Sequence, residues 1–225
     1  MIRYITQSLL SFVYPPFCLH CDERMDSPSA VLCPSCLSHV QLLEIQGRCR
    51  YCFSLCEGRA VCFACAGKKV WYKKGAAAVD EIGPAGTLLR NFMAGKRPHM
   101  APALGGLMTM QYLELNWPFP DLIVPVPSAF GKRWEVGFDP VELLAREMGK
   151  TLQKPVACGL RRHLKIQDFS SAFRLKKGCS AADQRILVLT DALTKDNELV
   201  RSAAACLQEA FPREVFVMAF AKTNG

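Results

Sequence analysis

The chain has 225 residues, of which 50% are hydrophobic, and a formal net charge of +8. This length allows one or two domains, and the hydrophobic content argues against a disordered chain because it is sufficient to build a core. Twelve cysteines are distributed unevenly, with nine between residues 18 and 65 and three beyond, at residues 158, 179 and 206. This clustering of cysteines in the first third of the chain indicates a separate structural or metal-binding segment.

The first predicted element is a short amphipathic helix over residues 1–16, which ends at two consecutive prolines. We interpret it as packing on the protein, with attachment to a membrane surface as the alternative. The segment carries one Arg, its apolar run is short, and no small-residue cleavage site follows, so it does not resemble a secretory signal. No later stretch reaches about 18 uninterrupted apolar residues. The sequence therefore predicts no transmembrane segment and a cytoplasmic location.

Residues 17–67 are predicted to form a double zinc ribbon. Each CxxC turn directs two sulfurs to one point, and two such turns complete a tetrahedral thiolate shell around zinc. The pairs within the two sets are separated by 11 and 9 residues. His20, His39 and the additional Cys56 are interpreted as non-ligands. The eight predicted zinc ligands are Cys18, Cys21, Cys33, Cys36, Cys49, Cys52, Cys62 and Cys65.

The arrangement of these ligands stays open at this point, because a cross-braced fold would use the same eight cysteines. A disulfide framework is the rival interpretation, but it requires an oxidising compartment. Four cysteines per ion leave no open coordination position, so the predicted zinc sites are structural rather than catalytic. Two filled sites would lower the formal charge from +8 to about +4. Local basic clusters must therefore support any argument for anion binding.

Residues 68–225 show the alternating strands and helices of an α/β domain. Asp139 is suited to the N-cap of a helix, Pro140 to its first position, and Glu142 to a capping box. The alternation predicts a mostly parallel sheet with helices on both faces, and a ligand crevice beyond the strand ends at residues 126 and 189. The predicted strands are 76–79, 122–126, 186–189 and 214–221, and the predicted helices are 86–95, 103–115, 139–152 and 197–210.

The segment after the third of these strands, residues 190–196, is typical of a phosphosugar-binding turn. An acidic side chain there can hold ribose hydroxyls, and the following helix N-terminus offers unpaired amides to a phosphate. By itself the pattern has another interpretation, since many strand–turn–helix units use Asp and Thr only as caps.

Taken together, the paired CxxC quartets, Val124-Pro125-Val126-Pro127, Gly137-Phe138 and the strand followed by an acid-Thr loop resemble the ComF/GntX family of competence-associated proteins. The resemblance covers nearly the whole chain. It implies a type I phosphoribosyltransferase-like domain behind a double zinc ribbon. It also implies a site for phosphoribosyl diphosphate and Mg²⁺. The implied ligand-binding residues are Thr190, Asp191, Thr194, Lys195, Pro127 and Ser128.

The chain departs from the family pattern in this loop. Thr190 replaces the first acid, Lys195 the second Thr, and Asp196 the Gly that lets backbone amides approach a phosphate. The family's last Thr is Glu198, and its Gly-Phe-Asn-Gln stretch is Gly-Phe-Asp-Pro at residues 137–140. We expect Asp196 to cap the helix and to repel a bound phosphate. Binding of phosphoribosyl diphosphate, and of Mg²⁺ with it, is therefore expected to be weak or absent.

A basic segment, residues 161–177, is the candidate DNA-binding site. Basic side chains can follow a phosphate backbone and aromatic rings can stack on bases, but the same pattern also fits a solvated loop whose Phe side chains enter the core. The resemblance implies a mobile basic loop near the crevice. The candidate residues are Arg161, Arg162, Lys165, Phe169, Phe173, Arg174, Lys176 and Lys177.

Three functions follow as hypotheses. The first is a ComF-like accessory protein of natural transformation that binds single-stranded DNA. The second is an active phosphoribosyltransferase that uses phosphoribosyl diphosphate and Mg²⁺. The third is an interaction module that recruits other DNA-uptake proteins.

Overall fold

The computed structural model describes residues 16–27, 30–56, 58–128, 135, 137–163, 172–176, 178 and 181–223. The predicted helix over residues 1–16 lies outside these ranges, apart from Pro16. No helix within the described ranges is both long enough and apolar enough to span a bilayer.

The described elements alternate between helices and strands after the cysteine-rich region. In chain order they are α1 (Pro34–Ser38), β1 (Lys74–Asp80), α2 (Gly83–Met93), α3 (Ala101–Glu114), β2 (Leu122–Pro125), α4 (Pro140–Leu152), β3 (Leu160–Arg162), β4 (Phe173–Leu175), β5 (Arg185–Leu193), α5 (Glu198–Leu207) and β6 (Glu214–Lys222).

Four strands form one parallel sheet in the order β1-β6-β5-β2, and β3 pairs with β4 as a separate antiparallel hairpin. Consecutive residues of β2 and β6 are buried. Because successive side chains of a strand point to opposite faces, this pattern requires cover on both faces of the sheet. The predicted α/β architecture with a mostly parallel sheet is therefore confirmed.

Helices α3 and α4 pack against each other and against the sheet. Gly105 makes their close approach possible, since a Cβ at this position would lie 2.9 Å from the Cβ of Glu147. Helix α4 begins as predicted: the Asp139 carboxylate accepts the amides of Val141 and Glu142 at 3.0 and 3.4 Å, and Pro140 occupies the first turn. The side chain of Glu142 bonds Arg146 one turn later.

Several predicted boundaries were wrong. Strand β5 continues four residues past the predicted end, because residues 190–193 still pair with β6. Thr190 and Asp191 therefore belong to the strand rather than to a loop. Helix α2 begins at Gly83, three residues early, because Pro84 fits the first turn of a helix. Helix α5 ends at Leu207 and is followed by a 3₁₀ turn over Gln208–Ala210.

The cysteine-rich region lies against one edge of the sheet. The amide of Leu43 donates to the carbonyl of Ala78 in β1 at 2.9 Å, and Gln111 of α3 donates to the carbonyl of Leu43 at 2.8 Å. The amide of Gly75 donates to the carbonyl of Arg50 at 2.8 Å. These bonds cover the exposed edge of β1, which would otherwise offer unpaired backbone groups.

Candidate metal centres and sheet-end crevice

The eight predicted zinc ligands form two separate groups of four sulfurs. One group contains Cys18, Cys21, Cys33 and Cys36, and the other contains Cys49, Cys52, Cys62 and Cys65; within each, all four sulfurs lie within 4.8 Å of one another. Each group therefore combines two successive CxxC pairs, which answers the question of pairing that the sequence left open. His20, His39 and Cys56 are not members of either group.

Sulfur–sulfur distances test whether zinc fits. A tetrahedron with Zn–S arms of about 2.3 Å has edges of about 3.8 Å. The Sγ atoms of Cys21 and Cys33 are 3.7 Å apart, and those of Cys52 and Cys62 are 3.5 Å apart. A disulfide needs about 2.05 Å, and these cysteines are all free thiols in the structure. The donor set and its spacing fit two structural zinc ions.

Backbone amides favour the thiolate form at the first cysteine of each group. Burial raises the pKa of the Cys18 thiol, but amide hydrogen bonds, with that of Cys21 the strongest, outweigh burial and bring the pKa to about 6. At Cys49 burial is again outweighed, here mainly by the amide of Cys62, which donates to Cys49 Sγ at 3.3 Å, and the pKa falls to about 7. A thiolate is the form that binds zinc.

The two nearby histidines make other contacts. His20 Nδ1 lies 3.0 Å from the hydroxyl of Thr87 in α2, and His39 Nδ1 lies 2.7 Å from the carbonyl of Ser35. Arg90 also donates to the Thr87 hydroxyl, at 3.2 Å. The first cysteine group is therefore attached to helix α2.

A crevice opens at the carboxyl ends of β2 and β5, where a parallel sheet is expected to bind ligands. Its volume is about 190 Å³, below the roughly 300–1,000 Å³ of ordinary small-molecule pockets. Its described lining residues are Met93, Val126, Pro127, Ser128, Val141, Arg162, Thr190, Asp191 and Leu199. Four of the six family-implied ligand-binding residues are thus brought together: Pro127, Ser128, Thr190 and Asp191.

Two polar residues of the crevice, Thr190 and Asp191, bond each other, and Arg162 lies near Asp191. The Thr190 hydroxyl donates to Asp191 Oδ1 at 3.1 Å. Burial lowers the pKa of the Arg162 guanidinium, and the nearby Asp191 carboxylate opposes this shift. Among its described lining residues, the crevice therefore combines one cation, Arg162, and one anion, Asp191, at the carboxyl end of the sheet.

Ser128 is held by the helix cap of α4. Both its amide and its hydroxyl donate to the Asp139 carboxylate, each at 2.9 Å. Asp139 was identified from the sequence only as an N-cap. Its second role depends on the tertiary fold, because Ser128 is eleven positions away.

The turn from β5 to α5 differs from the prediction at Asp196. Asp196 does not cap α5: the N-cap is Asn197, with left-handed φ of 49°, and Asp196 forms a 2.8 Å ion pair with Lys68. The amide of Asn197 donates to the Thr194 hydroxyl at 3.0 Å, which closes the turn. Thr194 and Lys195 are not among the residues that line the crevice.

The β3–β4 hairpin carries part of the predicted DNA-binding segment. Arg161 lies directly opposite Arg174. The amide of Lys176 donates to the carbonyl of Gly159 at 2.8 Å, two positions further along the same ladder. Residues two positions apart share a face, so these three exposed cations lie on one side of the hairpin. Their side chains form what we call the hairpin basic face, defined as Arg161, Arg174 and Lys176.

The other side of the hairpin faces the protein. Leu160 and Phe173 are buried there, and Arg162 is half-buried beside the crevice. The buried ring of Phe173 packs in the core, which is the alternative that the sequence allowed for it, so it does not form part of an exposed stacking surface. Lys165, Phe169 and Lys177 lie outside the described residues.

No family model matches the chain, and no curated protein matches it. Function must therefore be argued from the geometry of the sites.

Proposed function

We propose that this chain binds single-stranded DNA through the hairpin basic face, as a ComF-like accessory protein of DNA uptake. The observation that carries the proposal is the direct cross-strand pairing of Arg161 with Arg174. Like charges at such positions destabilise a hairpin unless an anion lies between them. A phosphate backbone supplies that anion.

The two zinc sites support the same assignment indirectly. When filled with zinc, they would lower the formal charge from +8 to about +4, so the hairpin basic face would be a local basic cluster on an otherwise mildly basic protein. Free thiols in this number suit a reducing compartment, and we propose a cytoplasmic location on that basis.

The crevice supports a degenerate rather than a working phosphoribosyl diphosphate site. Its volume of about 190 Å³ is small for a sugar carrying three phosphates. A single carboxylate, that of Asp191, faces it among the described lining residues, and this carboxylate already accepts the Thr190 hydroxyl. One carboxylate is a minimal anchor for a diphosphate-bound Mg²⁺.

The decisive experiment compares two double charge reversals that remove equal charge. In R161E/R174E the hairpin basic face is reversed, whereas in K74E/R213E exposed cations at the amino ends of β1 and β6 are reversed. Fluorescence anisotropy with a labelled oligo-dT should show about ten-fold or greater weakening for the first variant only. Equal affinities of the two variants would remove the proposed site.

A second candidate function is favoured by the position of the crevice beyond β2 and β5. In this alternative the protein is an active phosphoribosyltransferase, with Asp191 holding the ribose or the metal and Arg162 facing a phosphate. Calorimetric titration with phosphoribosyl diphosphate and Mg²⁺ separates the two functions. Tight binding that is lost in Asp191→Ala would establish a phosphoribosyl diphosphate site in the crevice and favour the enzyme, whereas no binding would exclude this alternative.

A further inference from the structure

The second cysteine group is joined directly to the turn that follows β5. Tyr51 lies inside the Cys49–Cys52 knuckle, and its carbonyl accepts the Tyr72 hydroxyl at 3.2 Å. The side-chain amide nitrogen of Asn197 approaches the same carbonyl at 3.5 Å and the Tyr72 hydroxyl oxygen at 3.4 Å. These three residues, which we call the knuckle cluster, connect a metal-binding turn with the N-cap of α5.

Two of the three residues of the knuckle cluster are shielded from water, and Tyr51 is partly buried. Tyr72 is 5% exposed and Asn197 is 4% exposed. The rings of Tyr51 and Tyr72 meet edge to face, with centroids 6.0 Å apart and planes at 84°. Burial raises the pKa of Tyr72 well above its usual range, so its hydroxyl remains a donor. Long contacts gain strength in such a setting, because water does not compete for them.

A second connection runs parallel to the first. The Lys68 ammonium pairs with Asp196 at 2.8 Å, and the Lys68 amide donates to the carbonyl of the metal-binding Cys65 at 3.2 Å. The pair is exposed and contributes little stability by itself. The pair nevertheless links Asp196, the residue before the N-cap of α5, to the second cysteine group.

The first cysteine group has different contacts. Its knuckle reaches Thr87 of α2 through His20, at 3.0 Å. No polar contact between this group and residues 194–198 is found among the described residues. The two metal sites are therefore attached to different parts of the α/β body.

We propose that the second cysteine group, when it holds zinc, positions residues 194–198 through Tyr51, Tyr72 and Asn197. This turn leads from Asp191 to Leu199, which both line the crevice. Zinc loss from the second site then loosens the turn, whereas zinc loss from the first site loosens α2. Asn197 and Tyr72 act as positioning residues, and the proposal does not depend on DNA binding.

Hydrogen–deuterium exchange of the full chain tests the proposal site by site. Cys62→Ser should accelerate exchange in peptides covering residues 190–200, and Cys33→Ser should do so in residues 83–93. Zinc content should fall by one ion in each variant. An unchanged 190–200 peptide in Cys62→Ser, or the same acceleration in both variants, would overturn the proposal.

Replacing a cysteine could misfold its ribbon, so a second set of variants keeps every cysteine and changes only the contacts of the knuckle cluster. Asn197→Gly keeps the left-handed backbone but removes the side-chain amide, and Tyr72→Phe removes only the hydroxyl. Each should raise exchange of the 194–200 amides about five-fold while both zinc ions are retained. Because the two residues act in one cluster, the double variant should add little to either single variant. Independent, multiplying effects, or no effect at all, would show that Asn197 and Tyr72 do not act together.

Discussion

Gly75 lies so close to Tyr51 that a Cβ on Gly75 would stand 2.4 Å from the Tyr51 carbonyl oxygen. The first turn of the second cysteine group is therefore packed directly on the backbone of β1. Only glycine allows this approach, because the obstructing atom belongs to the backbone and has little freedom to move.

Gly75→Ala should destabilise the protein by about 1–3 kcal/mol, since the added methyl must push the knuckle away from the sheet. Gly106→Ala is the matched control, because the same methyl in α3 meets no atom within 4 Å. The control should be neutral or gain up to about 1 kcal/mol from helix propensity. Urea unfolding measures both variants, and equal stabilities would contradict the close packing.

The protein should contain two zinc ions per chain after purification under reducing conditions. The sulfur spacing of 3.5–3.7 Å suits closed tetrathiolate shells, so a strong chelator should unfold the cysteine-rich region as it removes the metal. Elemental analysis gives the stoichiometry, and circular dichroism follows the unfolding. Metal-free protein whose cysteines form disulfides would show that the two cysteine groups are not zinc sites.

Asp139→Ala should reduce the free energy of unfolding by about 1–2 kcal/mol or more. The variant loses the N-cap of α4 and also leaves the amide and hydroxyl of Ser128 without their acceptor. Asp139→Asn separates the two roles, since its carbonyl oxygen still caps the helix but its side-chain nitrogen cannot accept the Ser128 amide. Thermal unfolding should place Asn between wild type and Ala, and an Asn variant less stable than Ala would exclude the capping role.

Lys222→Met should change how stability depends on alkaline pH. Lys222 is 1% exposed at the end of β6, and its ammonium donates to the carbonyls of Leu193 and Thr223. Burial lowers its pKa below the usual lysine value of 10.5. The unfolded chain therefore binds more protons between these two pKa values, and stability rises with pH across that window.

The Met variant should lose this rise, so the free energy of unfolding of the wild type relative to the variant should increase as the pH rises toward 10.5. Urea unfolding at several pH values measures the difference. A difference that is constant with pH would show that the Lys222 pKa is not depressed.

The logarithm of the binding constant for single-stranded DNA should fall linearly with the logarithm of the salt concentration. Each phosphate contact contributes a slope of about −0.7 on single strands. In R161A/R174A the slope should become shallower by about 1.4, because two contacts are lost. K74A/R213A removes the same charge at the amino ends of β1 and β6 and should keep the wild-type slope. A shallower slope in this control would mean that binding follows net charge alone.

The sequence predicted the parts of the molecule whose causes are local. A CxxC turn brings two sulfurs together within four residues, and Asp139 followed by Pro140 begins a helix through contacts within the same turn. Alternation of buried strands with helices likewise indicated a parallel sheet. These features depend on neighbours along the chain, so pattern and residue type were sufficient.

The boundaries of β5 and the role of Asp196 could not be predicted in this way. Residues 190–193 look like a polar turn, but pairing with β6 keeps them in the strand. Asp196 is a good helix cap by residue type, yet Lys68, far away in the sequence, takes its carboxylate. In both cases a partner distant in the chain outweighed the local preference.

Residue type and spacing were sufficient to predict eight cysteine ligands for two metal ions in front of an α/β body. The folded arrangement was needed to show which sulfurs share a site, that the Phe173 ring is buried, and that Tyr51 contacts Asn197. Ligand chemistry follows from the residue type, whereas contact between two groups depends on how distant segments pack. The crevice, the hairpin basic face and the knuckle cluster are all contacts of this second kind.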